Sequence, residues 1–172
     1  MVNEDVWNHS AHKAQSIILD RFEKKYEPVD CELLFFAGYS GDRSKFCFGH
    51  LSASGTPYLT QQIPIPAGVV EADANIHFAL PYKPDLAISV DGTSALPRPP
   101  GFSGSLVWDT KRIACLRNKQ KWSPELAKVT GLVWGWPSSH GCIIATKVEH
   151  IEIESLINLA KEYANKSINW TR

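Results

Sequence analysis

The feature that most constrains the fold is a series of short apolar or alternating segments between Pro28 and Val148, each bounded by Gly, Pro, Ser or Asp. This spacing, with turn residues between the segments, is typical of antiparallel strands. No helical pattern separates the segments, which argues against parallel βαβ units. The predicted strands are residues 32–37, 45–52, 58–64, 76–80, 105–109, 112–116, 128–136 and 142–148. We therefore predict a mainly β domain, built as an antiparallel barrel or sandwich.

Amphipathic patterns flank this region on both sides. Between Asn3 and Tyr26 apolar residues recur at helical spacing among charged ones, which predicts a helix that needs a partner surface. Between Ile151 and Ile168 the same spacing predicts a closing helix packed on the β domain. The predicted organisation is therefore an N-terminal amphipathic helix over residues 1–28 and a β domain with its C-terminal helix over residues 29–172.

Composition argues against several classes of partner. The 18 Lys and Arg residues equal the 18 Asp and Glu residues, so no net positive field draws the chain to nucleic acid or anionic lipid. No stretch approaches the length of a membrane-spanning helix, and the N-terminus lacks the basic and apolar regions of a signal peptide. We therefore expect a cytoplasmic protein with no membrane and no nucleic-acid partner.

The four cysteines are not spaced as metal ligands. Cys31, Cys47, Cys115 and Cys142 form no CxxC pair and have no histidine at zinc-ligand spacing beside them. Three of them lie in apolar runs, where a thiol behaves as a small buried hydrophobe. We expect reduced thiols, no metal site and no cofactor.

The strongest chemical signal is Ser103, which lies between Gly101 and Gly104 at the end of a proline-rich stretch over residues 81–103. A stretch with this composition is predicted to be loop, and a loop of this length in a compact domain is usually functional. A nucleophilic serine needs an exposed hydroxyl and nearby backbone N–H groups that can bind an oxyanion. The simpler interpretation is a tight turn in which both glycines adopt positive φ. The motif does not fit the nucleophile elbow of α/β-hydrolases, because Ser105 replaces its last glycine.

Segments on both sides of Ser103 resemble the C-terminal barrel of trypsin-like and chymotrypsin-like serine peptidases, including bacterial trypsin-like peptidase domains. Residues 34–41 (LFFAGYSG) are similar to the strand and turn that open this barrel. Residues 129–135 (VTGLVWG) are similar to the strand whose Trp-Gly pair walls the specificity pocket. Residues 142–148 and the helix after them are similar to the last strand and helix of that fold. The similarity covers about residues 32–166.

The resemblance implies a role for each matching residue. Ser103 would be the nucleophile, and the backbone N–H groups of Gly101 and Ser103 would form the oxyanion hole. Trp134 and Gly135 would line the specificity pocket.

The resemblance also implies what the pocket selects. Pro97 would lie at its base, where a preference for Lys or Arg requires an acid, and Phe102 and Trp134 would make its walls apolar. We therefore expect the pocket to prefer an uncharged, apolar or small side chain, with Asp91 the first candidate if a basic preference were found. Phe102 also replaces the Asp that pairs with a new N-terminus in secreted trypsins, which excludes that activation route.

The expected base and orienting acid have no clear counterpart. In the family both come from an N-terminal barrel, and the "TAxH" pattern is absent from this sequence. The nearest imitations are His12, predicted on a helix surface, and Asp85, predicted as a loop acid. His140 or His77 would be the candidate for a noncanonical base, although a solvent-facing or core histidine is the simpler interpretation of each.

Three functions remain open at this point. The chain is the nucleophile-bearing half of a serine endopeptidase that acts on proteins or peptides, and a second chain or a missing N-terminal barrel supplies His and Asp. Alternatively, it is an inactive pseudo-protease that serves as a peptide-binding or protein-interaction module. The third alternative is a small hydrolase with a rewired base.

Overall fold

A computed structural model of the protein describes residues 17–47, 50–87 and 96–168. These residues form strands β1 (Leu34–Cys47), β2 (His50–Thr60), β3 (His77–Pro81), β4 (Leu106–Asp109), β5 (Lys128–Gly135) and β6 (Cys142–Lys147). They also form helices α1 (Arg112–Arg117) and α2 (Ile153–Ile168). Asp20–His150 is one compact unit, and α2 belongs to a second unit.

The six strands form one antiparallel sheet in the order β2-β1-β4-β5-β6-β3. The mainly β, antiparallel prediction is confirmed. Strands β4, β5 and β6 are consecutive neighbours, while β3 lies beside β6, so these four strands form a Greek key. The long connection of this Greek key joins β3 to β4, and Ser103 lies near its end.

The sheet is not closed into the predicted barrel. In the described residues, the outer strands β2 and β3 do not pair as strands. An isolated bridge joins Ile63 to Ala79, and the Tyr58 hydroxyl donates a 3.1 Å hydrogen bond to the Pro81 carbonyl. Strand β2 ends at Thr60, and Ile63 beyond it is joined to β3 by this single bridge. The barrel prediction is therefore wrong for this edge, which stays open.

The core lies on both faces of the β3 and β6 pair. On one face Ile143 and Ala145 join the main core, which is rich in aromatic rings. On the opposite face Cys142 and Ile144 pack with Ala79, under a cover of partly buried residues. That cover is Ile63, Ile65, Val69 and Ala72. The segment between β2 and β3 therefore packs on the sheet, and it also forms a wall of the cavity described below.

The predicted strand over residues 112–116 is helix α1 instead. The Glu32 carboxylate accepts 2.9 Å hydrogen bonds from the N–H groups of Ile113 and Ala114, which have no partner within the first turn of a helix. It also accepts a bond from the Thr110 hydroxyl. A short apolar run does not distinguish helix from strand by its periodicity, so this tertiary contact could not be predicted. The predicted strand over residues 45–52 is the end of β1 and the start of β2.

The prediction of an N-terminal helix over residues 1–28 is wrong for residues 17–28, the part that the structure describes. Residues 1–16 lie outside the described residues, and from Ile17 the chain makes a 3-10 turn at Leu19–Arg21. Phe22 then forms a bridge with Val129, because the N–H of Glu23 donates to the Val129 carbonyl in place of a helical bond.

The C-terminal helix is confirmed as α2, and its packing on the β domain stays a prediction. Neither α1 nor α2, the α-helices of the described ranges, is long and apolar enough to cross a membrane.

Candidate active site

Ser103 lies on an exposed turn beside the end of β5. The turn is fixed to this strand because the Gly104 N–H donates to the Val133 carbonyl and the Val133 N–H donates to the Ser105 carbonyl. The Ser103 hydroxyl donates a long bond of 3.5 Å to the carbonyl of Trp134. The side chain is therefore accessible from solvent and has a weak partner.

The glycines on either side of Ser103 adopt the positive φ expected for a tight turn. Gly101 has a φ of 103° and Gly104 a φ of 88°. At Gly101 a Cβ would lie 2.5 Å from the carbonyl oxygen of Tyr39, whereas at Gly104 it would meet no atom within 4 Å. Position 101 therefore requires glycine for two reasons. Its backbone has a positive φ, and its Cα lies too close to β1 to leave room for a Cβ.

Two backbone N–H groups in this turn have no acceptor among the residues that the structure describes. The Phe102 N–H donates to Pro99 and the Ser105 N–H donates to Phe102. The N–H groups of Gly101 and Ser103 make no hydrogen bond to any residue that the structure describes. These are the groups that the resemblance assigns to the oxyanion hole, and each can donate to a ligand oxygen.

A cavity of about 580 Å³ lies beside Trp134, the residue whose carbonyl accepts the Ser103 bond. Its walls come from the segment before β3 and from the end of β5 with the turn that follows. They are formed by Gly68, Val69, Val70, Glu71, Trp134, Gly135, Trp136, Pro137, Ser139 and His140. Trp134 joins the two features, since its carbonyl accepts the Ser103 bond and its half-exposed ring lines the cavity. The lining combines apolar side chains with the polar side chains of Glu71, Ser139 and His140.

The structure separates the predicted pocket residues into two groups. Trp134, Gly135 and His140 line the cavity together. Phe102 and Pro97 do not line it. Phe102 is buried in the main core, with its ring centroid 5.7 Å from that of Tyr82. Pro97 is also buried, and its carbonyl accepts the Tyr82 hydroxyl at 2.7 Å. Pro97 and Phe102 are therefore not part of this cavity, and a specificity pocket between the loop before Ser103 and the end of β5 stays a prediction.

The two candidate base histidines have other partners. His140 Nδ1 lies 2.9 Å from the Ser139 hydroxyl. His77 Nδ1 accepts the N–H of Asp73, which leaves the ring proton on Nε2, and the ring lies 5.3 Å from that of Trp134. Neither histidine makes a hydrogen bond to Ser103.

No carboxylate of the described ranges bonds to the Ser103 hydroxyl either. Asp85 is an exposed acid in the 3-10 turn Pro84–Leu86, which confirms the predicted loop position. His12 and Asp91 lie outside the described residues. Asp109 is buried, and its carboxylate is paired at 3.0 Å with Lys111, which also contacts Glu23. Burial raises the pKa of Asp109, although hydrogen bonds from Lys111 oppose the rise.

Sequence reasoning missed the wall that the segment before β3 contributes. Val69, Val70 and Glu71 lie between two predicted strands and had been assigned no role. The sequence signal that could have indicated this wall is Gly68 followed by two apolar residues and an acid in a segment predicted to be loop. Trp136 was also missed as a lining residue, and its indole N–H is buried with no acceptor among the described residues. No three His, Cys, Asp or Glu residues of the described ranges cluster as metal ligands.

Neither a family model, nor a curated protein, nor a solved structure matches this chain. The resemblance to trypsin-like peptidases therefore rests on the sequence motifs alone. Ser103, the two N–H groups beside it and the adjoining cavity are the features on which a functional proposal can be based.

Proposed function

We propose that this chain is the nucleophile-bearing half of a trypsin-like serine endopeptidase and that its catalytic His and Asp come from a second polypeptide or from an N-terminal barrel. One observation carries the proposal. The exposed Ser103 hydroxyl shares a turn with two N–H groups, those of Gly101 and Ser103, that have no acceptor in the described part of the chain. A nucleophile next to unpaired donors is the arrangement that acyl transfer requires.

The proposal assigns each step to a group. The Ser103 oxygen forms a bond to the carbonyl carbon of the scissile peptide, and the carbonyl oxygen takes up the negative charge beside the Gly101 and Ser103 N–H groups. The hydroxyl proton passes to a base, which protonates the leaving amine as the C–N bond breaks. Water, deprotonated by the same base, then releases the acyl group from the Ser103 ester and restores the hydroxyl. A backbone carbonyl such as that of Trp134 is too weak a base for this step. The described residues supply no better partner, so the base is assigned to another part of the complete enzyme.

The cavity beside Trp134 supports a peptide as substrate. Two tryptophans, two valines and a proline dominate its lining, which favours a large apolar side chain through burial. Glu71 contributes a carboxylate that the sequence argument did not include. Because Glu71 is exposed, a charge there is screened by solvent, and we keep the apolar preference as the proposal.

We also propose that the open sheet is an unclosed form of the second barrel of such peptidases. The Ile63–Ala79 bridge and the bond from Tyr58 to Pro81 support this, because they already connect the two outer strands. Paired strands at this edge in a complex with the missing half would agree with this proposal.

Chemical rescue with imidazole tests the missing-base proposal. We expect a fluorophosphonate to label the lone chain slowly at Ser103 and imidazole to accelerate the labelling at least about tenfold, since general base catalysis contributes about 10²-fold or more. The Ser103 oxygen bonds to phosphorus, fluoride leaves, and imidazole accepts the proton. Ser103→Ala should abolish the label. Ser138→Ala, a matched change at another exposed serine that does not line the cavity, should retain it.

Two results would contradict the proposal. Rapid stoichiometric labelling without imidazole, lost in Ser103→Ala, would establish the hydrolase with its own rewired base. Labelling that imidazole does not accelerate would remove the case for a missing base.

The pseudo-protease is the second candidate, and one observation favours it. The described partner of the Ser103 hydroxyl is the Trp134 carbonyl, which leaves the serine bonded to a group that cannot activate it. This candidate predicts that an aromatic peptide binds equally to wild type and to Ser103→Ala and that Trp134→Ala weakens the binding. Absence of imidazole rescue together with this binding pattern would favour it over the peptidase.

A further inference from the structure

A bulge in β1 places three groups against the loop that precedes Ser103. The β1 register shifts between the Tyr39–Gly55 and Ser44–Ala53 pairs, so residues 40–43 face the single residue Ser54 of β2. Extra residues in a strand leave backbone groups unpaired within the ladder. In this bulge the Ser40 hydroxyl, the Gly41 N–H and the Asp42 carboxylate bond to residues 98–100, a loop on the β3–β4 connection.

Three hydrogen bonds connect this bulge to the loop. The Ser40 hydroxyl donates to the Arg98 carbonyl at 2.8 Å, and the Arg98 N–H donates to the Asp42 carboxylate at 3.1 Å. The Gly41 N–H donates to the Pro100 carbonyl at 2.9 Å. Ser40 is fully buried, and its side-chain oxygen also accepts the Asp42 N–H. The same oxygen therefore makes one hydrogen bond to the loop and one within the bulge.

The third bond determines which way the Pro100–Gly101 peptide faces. In a trans peptide the C=O and N–H point in opposite directions. Because the Pro100 carbonyl points to Gly41 on β1, the Gly101 N–H points away from β1. A peptide rotated by half a turn would lose the bond to Gly41 and would direct the N–H at the strand.

We propose that Ser40 and Asp42 are positioning residues that hold the Pro100–Gly101 peptide with its N–H turned away from β1 and available to a ligand oxygen at Ser103. The inference rests on the proposed function for the identity of that ligand, a peptide carbonyl. Its structural part, the orientation of one peptide group by a bulge, does not depend on catalysis. Neither residue touches the reacting atoms, and both act through Arg98 and Pro100.

Asp42 provides the cleaner test because its side chain is exposed and its replacement need not unfold the protein. In Asp42→Ala the acceptor of the Arg98 N–H is lost, whereas in Asp42→Asn the amide oxygen still accepts it. Ser40→Ala removes the buried hydroxyl. Asp85→Ala is a matched control, since it removes an exposed acid elsewhere in the same connection.

The first measurement is amide hydrogen exchange by NMR. In wild type we expect the Gly41 amide to be protected and the Gly101 amide to exchange fast. Asp42→Ala and Ser40→Ala should lower the Gly41 protection about tenfold, because opening of the loop exposes the bond. Asp42→Asn and Asp85→Ala should retain it. Equal Gly41 protection in wild type and Asp42→Ala, or a protected Gly101 amide in wild type, would overturn the inference.

The second measurement is the rate of Ser103 labelling by a fluorophosphonate in imidazole. Misplacing one donor should slow Asp42→Ala by about 10- to 100-fold and leave Asp42→Asn within about twofold of wild type. An equal rate in wild type and Asp42→Ala overturns the inference. If wild type itself is not labelled, the proposed function fails, and the exchange measurement alone decides between an oriented and a free peptide.

Discussion

On the β1 side of Ser103, residues 98–104 are held by hydrogen bonds and a buried aromatic ring, whereas on the cavity side large apolar side chains face solvent. The β1 side contains three hydrogen bonds to the bulge of β1 and the buried Phe102. The cavity side, residues 68–71 and 134–140, includes Val70, which is 94% exposed, and Trp134, which is 43% exposed. One serine therefore lies between a fixed backbone and an open apolar surface.

The difference corresponds to two tasks that the proposed acyl transfer would require. Donors for a developing charge are effective only when they are fixed before the ligand arrives, because reorganisation would cancel their benefit. A surface that receives a side chain gains from exposed apolar area, which binding then removes from water. The β1 side has the first property and the cavity side has the second.

The largest expected effect is loss of the Phe102 ring. Phe102→Ala should lower the free energy of unfolding by about 3–5 kcal/mol, because the ring is fully buried against Phe36 and Tyr82. Val70→Ala on the cavity side should change it by less than about 0.5 kcal/mol. Urea unfolding measures both, and Phe102→Leu replaces the alanine variant if that does not fold. Similar losses in Phe102→Ala and Val70→Ala would contradict the contrast between the two sides.

The second effect compares three glycines. Gly101→Ala should cost about 2–3 kcal/mol, because it combines positive φ with a Cβ only 2.5 Å from the Tyr39 carbonyl. Gly104→Ala has positive φ but no close neighbour and should cost about 1 kcal/mol. Gly135→Ala, on the cavity side, has neither constraint and should be nearly neutral. Thermal unfolding measures the order, and equal costs at Gly101 and Gly135 would contradict it.

The third prediction concerns the hydrogen bonds of the Glu32 carboxylate, just before the start of β1, and their contribution to the free energy of unfolding. Burial alone would raise the pKa of Glu32, but hydrogen bonds from Ile113, Ala114, Leu33 and Thr110 lower it below its ordinary value of 4.5. A carboxyl with a lowered folded pKa stabilises the protein above its unfolded pKa, and this stabilisation disappears as the pH falls through the folded value. The raised pKa of Asp109 acts in the opposite direction, so a difference measurement is needed.

Glu32→Gln isolates this contribution. At pH 7 it should lower the free energy of unfolding by about 1–2 kcal/mol, and the difference from wild type should shrink as the pH falls below 4.5. Asp30→Asn is the control, because Asp30 is exposed and its pair with Arg117 is long at 3.8 Å. A difference that stays constant down to pH 3 would show that the Glu32 charge is not the cause.

The smallest expected effect is on the cavity side. Trp134→Ala should lower the free energy of unfolding by about 1 kcal/mol or less, since the ring is half exposed and packs chiefly on His77. Trp134→Phe retains a ring on His77 and should be closer to wild type. A loss as large as that of Phe102→Ala would place Trp134 in the core and remove the contrast.

Local patterns were sufficient to predict most elements of the fold. Apolar alternation located β1, β3, β4, β5 and β6, and helical spacing located α2, because each pattern is a property of neighbouring residues. The failures depend on distant partners. Helix α1 needs the Glu32 carboxylate, and Phe22 is extended because it pairs with Val129. The open edge between β2 and β3 depends on contacts between segments that are remote in sequence.

The site was predicted in part for the same reason. The exposed turn at Ser103 and the positive φ of Gly101 follow from the local sequence. The local sequence did not show that the Pro97 carbonyl accepts the Tyr82 hydroxyl, a contact across 15 positions of the chain. Glu71 could not be assigned to the cavity because nothing local shows that its segment folds back against the end of β5.

The Greek-key connection also has a consequence for the order of events during folding. The bonds that fix the serine turn join residues far apart in sequence, with a separation of 58 positions for the partners Ser40 and Arg98. Such non-local contacts form late and fold slowly, on the order of milliseconds to seconds. A chain that emerges from the ribosome therefore carries Ser103 on an unstructured segment until β5 has been synthesised and has paired. The fixed geometry of the Ser103 turn is thus a property of the folded sheet and is absent from a chain that ends before β5.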